Sequence, residues 1–298
     1  MLAAASAHLS SRDQPDMLST HFEYPGQAGP GPAIVVIEDV KLSRRLSTVH
    51  LTLWQGGLLS QAPWIDHSVS RRVVLAYATY TNLRTLAGLS MPTRYEAAPT
   101  SALPALPDFG ALKAKQADDK WELSRLPKGS ESWRSLRNWS FYLPRGEPPV
   151  PGVVDEWVRM TSGERITQNT LGYVVDSFPW NLHTFFGAPE ARPASTAGSQ
   201  GQKERTRPNE AQGEDQRVGL WFPTVVMNIE TKALLPREGV EWLAVRLIAK
   251  QIKNGRFDID ILVRTVEGEI VALSHQVAMI VSIERNTKKA SRLMKGAL

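Results

Sequence analysis

The chain has 298 residues, no cysteine, a formal charge of +5, and 42% hydrophobic and 22% charged residues. A length of this order suits one large domain or two ordinary ones, each burying its own core, and two are expected. The missing cysteines exclude disulfides, thiolate nucleophiles and cysteine metal sites. No apolar run approaches the roughly 20 residues a membrane helix needs. Basic residues are scattered apart from Arg44-Arg45, Arg71-Arg72, Lys203 to Arg207 and Arg285 to Lys295, without interleaved aromatics, so no nucleic-acid partner is expected. The opening MLAAASAHLSSR lacks the basic leader and long apolar core of a signal peptide, and a cytoplasmic location is expected.

Residues 1–12 place Leu2, Ala5 and Leu9 among small residues, which favours a closely packed helix stopped by Asp13, Pro15 and Asp16. MLSTHFEYP follows, then a Gly/Pro-rich turn over 26–32 and the run AIVVIEDVKLSRRLSTVHLTLWQ. From Ser47 to Leu53 polar and apolar side chains alternate, the period of a strand with one buried face. A polar connection occupies 55–70, and RVVLAYATYTNL from Arg72 to Leu83 reads as another strand. Residues 84–132 carry Pro92, Pro99, Pro104, Pro107 and Pro127 with little periodicity, as a long ordered crossover does. Strand character resumes at Trp139 to Leu143 and at Val153 to Met160.

Thr167 and Asn169 precede LGYVVDSFPWNLHTFF, whose Leu171, Val174, Val175, Phe178 and Leu182 follow helical spacing, with Pro179 as a kink or early turn. From Gly187 to Arg217 the composition is too polar to offset chain entropy, so disorder is expected. A tolerated surface loop is a plainer account of that insertion than a mobile lid.

Val218 to Ile283 has the clearest pattern. Runs rich in Val and Ile, punctuated by Asn254-Gly255 and Glu267-Gly268, predict a meander of antiparallel strands. EDVKLSRRLSTVHLTL in the first half matches IAKQIKNGRFDIDILV in the second, with Arg44 and Arg256 each just ahead of a strand. VVLAYATYTNL likewise mirrors IVALSHQVAMIV, so a duplicated unit is predicted.

GVEWLAVRLIAKQIKNGRFDIDILV followed by EGEIVALSHQVAMIVSIERN resembles the C-terminal half of the fungal thioesterase-like superfamily, relatives of acyl-CoA thioesterases. SFYLPRGE, VDEWVRMTSGERIT and LGYVVDSFP are similar to the segments upstream of it, and EDVKLSRRLSTVHLTL to the first unit. The resemblance covers nearly the whole chain. It implies an α+β double hotdog, two antiparallel sheets each wrapped around a central helix and paired side by side. The first unit with its crossover would span 1–128, and the second, with a disordered insertion at about 187–217, would span 129–298. Family members usually carry strands and a Gly-rich turn ahead of the first helix. Here the first unit is therefore expected to be N-terminally truncated, or to have its free sheet edge covered by another segment.

The chemistry the resemblance implies is electrostatic: a helix N-terminus and amides polarise a thioester carbonyl, while a carboxylate or amide-held water supplies the nucleophile. In the bacterial double hotdog hydrolases an Asp, a Ser or Thr and a Gln of the second unit hold that water. Matching the motifs places the Gln at Gln276, the Asp position near Val226 and the hydroxyl position near Lys250, which leaves the set broken. A shift of two residues would bring in Asn228 or Glu230, since Val226, Asn228 and Glu230 share a strand face.

Asp176, a carboxylate on an apolar helix, is either a general base facing a ligand tunnel or a partnered structural residue. The catalytic candidates are thus Gln276, Asp176 and Glu230, and the substrate-binding candidates are Lys250, His275, Asn228, Trp180 and Trp221. Each of the latter has a plainer reading as a solvated or core-packing side chain. Without a paired-His signature, a phosphate-cradling loop or a GxSxG elbow, neither metal nor cofactor is expected.

These residues suit a thioesterase-like protein that binds an acyl thioester or bulky apolar carbonyl compound. Hydrolysis of acyl-CoA in fungal lipid or specialised metabolism would follow if Asp176 or Glu230 supplies the base. The alternatives are a non-hydrolytic cyclase, isomerase or dehydratase acting on a polyketide-like or terpenoid substrate, and a non-catalytic ligand carrier. A homo-oligomer is left open.

Overall fold

Helix α1, Leu2–Ser10, turns Leu2, Ala5 and Leu9 to one buried face, the spacing of an apolar stripe. In the computed structural model, which describes residues 1–95, 103–124, 134–145, 152–177 and 220–282, this helix opens the first unit. Strands β1 (Asp16–Glu23), β2 (Ile34–Lys41), β3 (Ser47–Gln55) and β4 (Arg71–Thr81) follow. The alternation over 47–53 is realised in β3, where Val49 and Leu51 enter the core while His50 between them meets Glu38 on the other face. Tyr80 on β4 donates from Oη to the Leu2 carbonyl at 2.9 Å and so ties α1 to the sheet.

The crossover contributes two elements that its weak periodicity does not reveal. Helix α2 (Phe109–Lys115) is capped by Asp108, whose side chain accepts from the Ala111 amide at 2.9 Å. Strand β5 (Trp121–Leu123) follows, then β6 (Trp139–Pro144) and β7 (Val153–Met160). Helix α3 (Leu171–Val175) is introduced by a capping box between Thr167 and Thr170. It is shorter than the spacing over 171–182 predicts, since Asp176 already leaves helical geometry at φ −93° and ψ 7°. The chemical reason is Pro179, which has no N–H for the Val175 carbonyl and disfavours helix just before it. Phe178, Trp180, Leu182 and the insertion at 187–217 lie outside the described residues.

The last stretch forms β8 (Leu220–Trp221), β9 (Thr224–Thr231), β10 (Leu243–Ile248), β11 (Ile252–Lys253), β12 (Arg256–Arg264), β13 (Ile270–Met279) and β14 (Val281–Ser282). Asn254 and Gly255 both take positive φ, 53° and 71°, in a two-residue turn that sets Lys253 opposite Arg256.

Twelve strands make one antiparallel sheet in the order β2-β3-β4-β1-β9-β13-β12-β10-β7-β6-β5, with β11 added to β12; β8 and β14 pair separately. The duplication is visible in this order, because β2-β3-β4-β1 corresponds to β10-β12-β13-β9. The units join where β1 pairs with β9, from Ser19 opposite Glu230 to Glu23 opposite Val226. This is the α+β double hotdog architecture, with its two sheets continuous across the seam. The second unit continues beyond β10 into β7, β6 and β5, whereas β2 is an edge of the sheet among the described residues.

One core lies between the inner sheet face and the helices, from Phe22, Val49 and Ala78 to Ile229, Val245 and Ile261. The two helices touch at Gly172, where a Cβ would stand 3.2 Å from Leu2 Cδ1. A second cluster on the outer face packs Leu112 of α2 against Trp121, Tyr142, Trp157 and Trp242. Full burial of side chains of this size contributes about 1.5–3 kcal/mol each, which accounts for several tryptophans without a ligand. No helix among the described residues is long and apolar enough to cross a membrane.

Candidate functional site

Polar groups converge on the inner face where β13, β9 and the end of α3 meet. Gln276 on β13 is fully buried, and its Nε2 donates to the Val175 carbonyl at 2.7 Å. That carbonyl is the one Pro179 leaves without a helical donor, so the amide satisfies an orphan acceptor and fixes the end of α3. Gln276 Oε1 has no hydrogen-bond partner among the described residues.

The next residue is Asp176, whose Oδ1 accepts from Thr224 Oγ1 at 2.9 Å. Desolvation pushes the Asp176 carboxyl up to about 6, with the Thr224 bond opposing the shift. The side chain nevertheless retains exposed surface.

Thr224 reaches Asp176 through a bulge. Val226 lies opposite Val277 on β13, but Thr224 lies opposite Ala278, so Val225 is an extra residue in β9. A strand's side chains alternate, and one extra residue reverses the faces beyond it. Thr224 thereby faces α3, while Val226, Asn228 and Glu230 share the outer face. An Asp and a hydroxyl, Asp176 and Thr224, thus lie beside Gln276, whereas Val226 and Lys250 do not.

The outer-face candidates do not join this cluster. Asn228 Oδ1 accepts from His21 Nδ1 at 2.8 Å, and His275 Nδ1 lies 2.7 Å from Asp260 Oδ1. Lys250 Nζ is 2.6 Å from Asp260 Oδ2. With Glu38, His50 and Tyr77 these residues form a polar row across seven strands, from β2 to β12. Glu230 is exposed on the same face and paired with Lys232. The thickness of the sheet separates Glu230, Asn228, His275 and Lys250 from Gln276, which corrects their assignment to one site with it. Trp221 pairs with Val281 in the small sheet, and Trp180 lies outside the described residues.

Another buried carboxyl, Glu156 on β7, shares the inner face with Val154 and Val158 and has no hydrogen-bond partner among the described residues. Burial, with the Asp155 charge adding to it, raises its pKa well above the ordinary range.

The double hotdog fold and its matches place the chain among thioesterase-like proteins. The chain belongs to the acyl-CoA thioesterase family: the model of that family's C-terminal domain matches residues 106–280, and the model of its N-terminal domain matches residues 1–81. It is 60% identical over 299 residues to the thioesterase-like protein TwmA of Talaromyces wortmannii, covering all of this chain and 86% of TwmA. Among solved structures, a hotdog-fold protein of unknown function from Alicyclobacillus acidocaldarius is similar, with a TM-score of 0.56 and 15% identity, over 93% of this chain and 85% of that one. An acyl-CoA thioesterase II from Mycobacterium marinum gives a TM-score of 0.53 at 15% identity, over 94% and 88%. At such identities the likeness concerns the fold.

Proposed function

We propose that the protein hydrolyses an acyl thioester, using a water molecule activated by Asp176 and positioned by Thr224 and Gln276. The observation that carries this reading is the hydrogen-bonded Asp176–Thr224 pair beside the buried Gln276. The Asp176 carboxylate takes a proton from water as the water oxygen bonds to the thioester carbonyl carbon. The tetrahedral intermediate then collapses, the C–S bond breaks, and Asp176 returns the proton to the departing thiolate, leaving a carboxylic acid and a thiol. Thr224 orients the base by donating to Oδ1, which leaves Oδ2 for the water. Gln276 Oε1 is an acceptor for the water's second hydrogen.

A pKa of about 6 suits this role, because the base is ionised at neutral pH yet stronger than an ordinary Asp. Asp176 and Thr224 beside Gln276 favour hydrolysis over the cyclase, isomerase or dehydratase reading. Acyl-CoA is the favoured substrate; family membership and the positive net charge, which suits a polyphosphate ligand, support it. A fungal setting fits the relative from Talaromyces wortmannii.

The test is release of free thiol from a panel of acyl-CoA esters. Asp176→Asn is expected to lower kcat about 1,000-fold, within the span typical of a lost general base. If no chain length is turned over faster by the native protein than by Asp176→Asn, the hydrolase reading is overturned.

A further inference from the structure

Asp176, Thr224 and Gln276 all belong to the second unit, yet contacts around them also run through the first. Tyr24 directly follows β1, and its amide donates to the Val225 carbonyl at 3.0 Å, which seats it against the bulge that presents Thr224. Its ring is half-buried against the main core. Its Oη donates to Met227 Sδ at 3.9 Å, and Met227 stands opposite Gln276 on β13. The contacts therefore run from Gln276 to Val175, Asp176, Thr224, Val225, Tyr24 and Met227, and back to Gln276.

The chemistry of the phenol is equally specific. Burial, and then the nearby Asp176 charge, raise its pKa far above the ordinary range, so it keeps its proton and remains a donor. A thioether sulfur is a weak acceptor. Little is lost when the O–H turns from Met227 to a better acceptor, and a thioester carbonyl oxygen in front of Asp176 is one.

We infer that Tyr24 is the first unit's contribution to the hydrolytic site, donating its phenolic O–H to the thioester carbonyl oxygen and to the oxyanion formed from it; this rests on the hydrolase reading above. As water oxygen bonds to the carbonyl carbon and gives its proton to Asp176, the carbonyl electron pair moves to oxygen, where the Tyr24 O–H meets the developing charge. Tyr24 retains its own proton throughout. Collapse restores the carbonyl and expels the thiolate, which takes the proton back from Asp176. The site is thereby shared between the units, and the seam between β1 and β9 sets its geometry.

Tyr24→Phe keeps the ring and removes only the hydroxyl. Loss of one preorganised oxyanion donor typically costs 100-fold or more in kcat, so a fall of about 100-fold is expected with KM little changed. A non-hydrolysable ketone analogue of acyl-CoA, with CH2 in place of sulfur, supplies a readout that needs neither turnover nor a variant. Its carbonyl stretch is expected at lower frequency when bound to the native protein than in buffer, and back near the buffer value in Tyr24→Phe. An unchanged kcat in folded Tyr24→Phe, a rise in KM alone, or an unshifted carbonyl band in the native complex would each overturn the role of Tyr24. If the native protein hydrolyses no thioester, the hydrolase reading falls instead, and the infrared band still reports whether Tyr24 holds a carbonyl oxygen.

Discussion

In the proposed mechanism Asp176 links the stability of the protein to its activity with opposite signs. Its folded-state pKa is raised from 3.8 to about 6, so the folded chain binds this proton more tightly than the unfolded chain does. The stabilisation from that proton is complete below about pH 3.8 and is lost as pH rises through about 6. Hydrolysis needs the carboxylate, so kcat/KM is expected to rise with pH and level off above about 6. Asp176→Asn should also flatten the dependence of Tm on pH across the same window, measured by thermal unfolding at a series of pH values. A rate profile governed by a group near 4 would place the base elsewhere. Gln276 acts on this residue indirectly, by holding the carbonyl just before it. From the sequence Gln276 and Asp176 were legible as candidates, the first by resemblance and the second as a carboxylate on an apolar helix. Thr224 was not, because its face depends on the extra residue Val225, which no periodicity announces.

Among the elements, those with strong local signals match the structure closely. The stripe Leu2, Ala5, Leu9 forms α1, the alternation from Ser47 forms β3, and Asn254-Gly255 forms a hairpin turn. Helix α2 and strand β5 leave little trace in the sequence because each is short and takes its stability from packing: Leu112 and Trp121 are buried on the outer face of the sheet, against partners distant in sequence. A less visible constraint lies between β9 and β10. Gly239 has φ +76°, and a Cβ there would stand 2.5 Å from the Ile166 carbonyl oxygen, in the segment that leads into α3. Both the conformation and the contact require glycine. Gly239→Ala is expected to destabilise the protein by about 2 kcal/mol or more, a size reserved for backbone strain and core damage. Urea unfolding measures it, and a change under about 0.5 kcal/mol, the size of a neutral surface substitution, would show that the backbone yields.

At the scale of the whole molecule, β1 and β9 join the units by continuous backbone pairing, and Leu2 meets Gly172 across the two helices. A shared sheet and a shared core leave neither unit an independent boundary. Urea unfolding is therefore expected to give one transition, with tryptophan fluorescence and far-ultraviolet circular dichroism coinciding. Two resolved transitions would mean that the seam is weaker than its pairing implies. The amino-acid sequence alone determined the fold class, the duplicated order of strands and the identity of Gln276 and Asp176 as candidates, because apolar periodicity, turn residues and family motifs are local properties of the chain. Only the tertiary structure decided which face each candidate takes and which hydroxyl meets Asp176. Tyr24, Asp176, Thr224 and Gln276 lie far apart in sequence, and their meeting depends on a one-residue bulge, a proline-orphaned carbonyl and the pairing of two strands from different units.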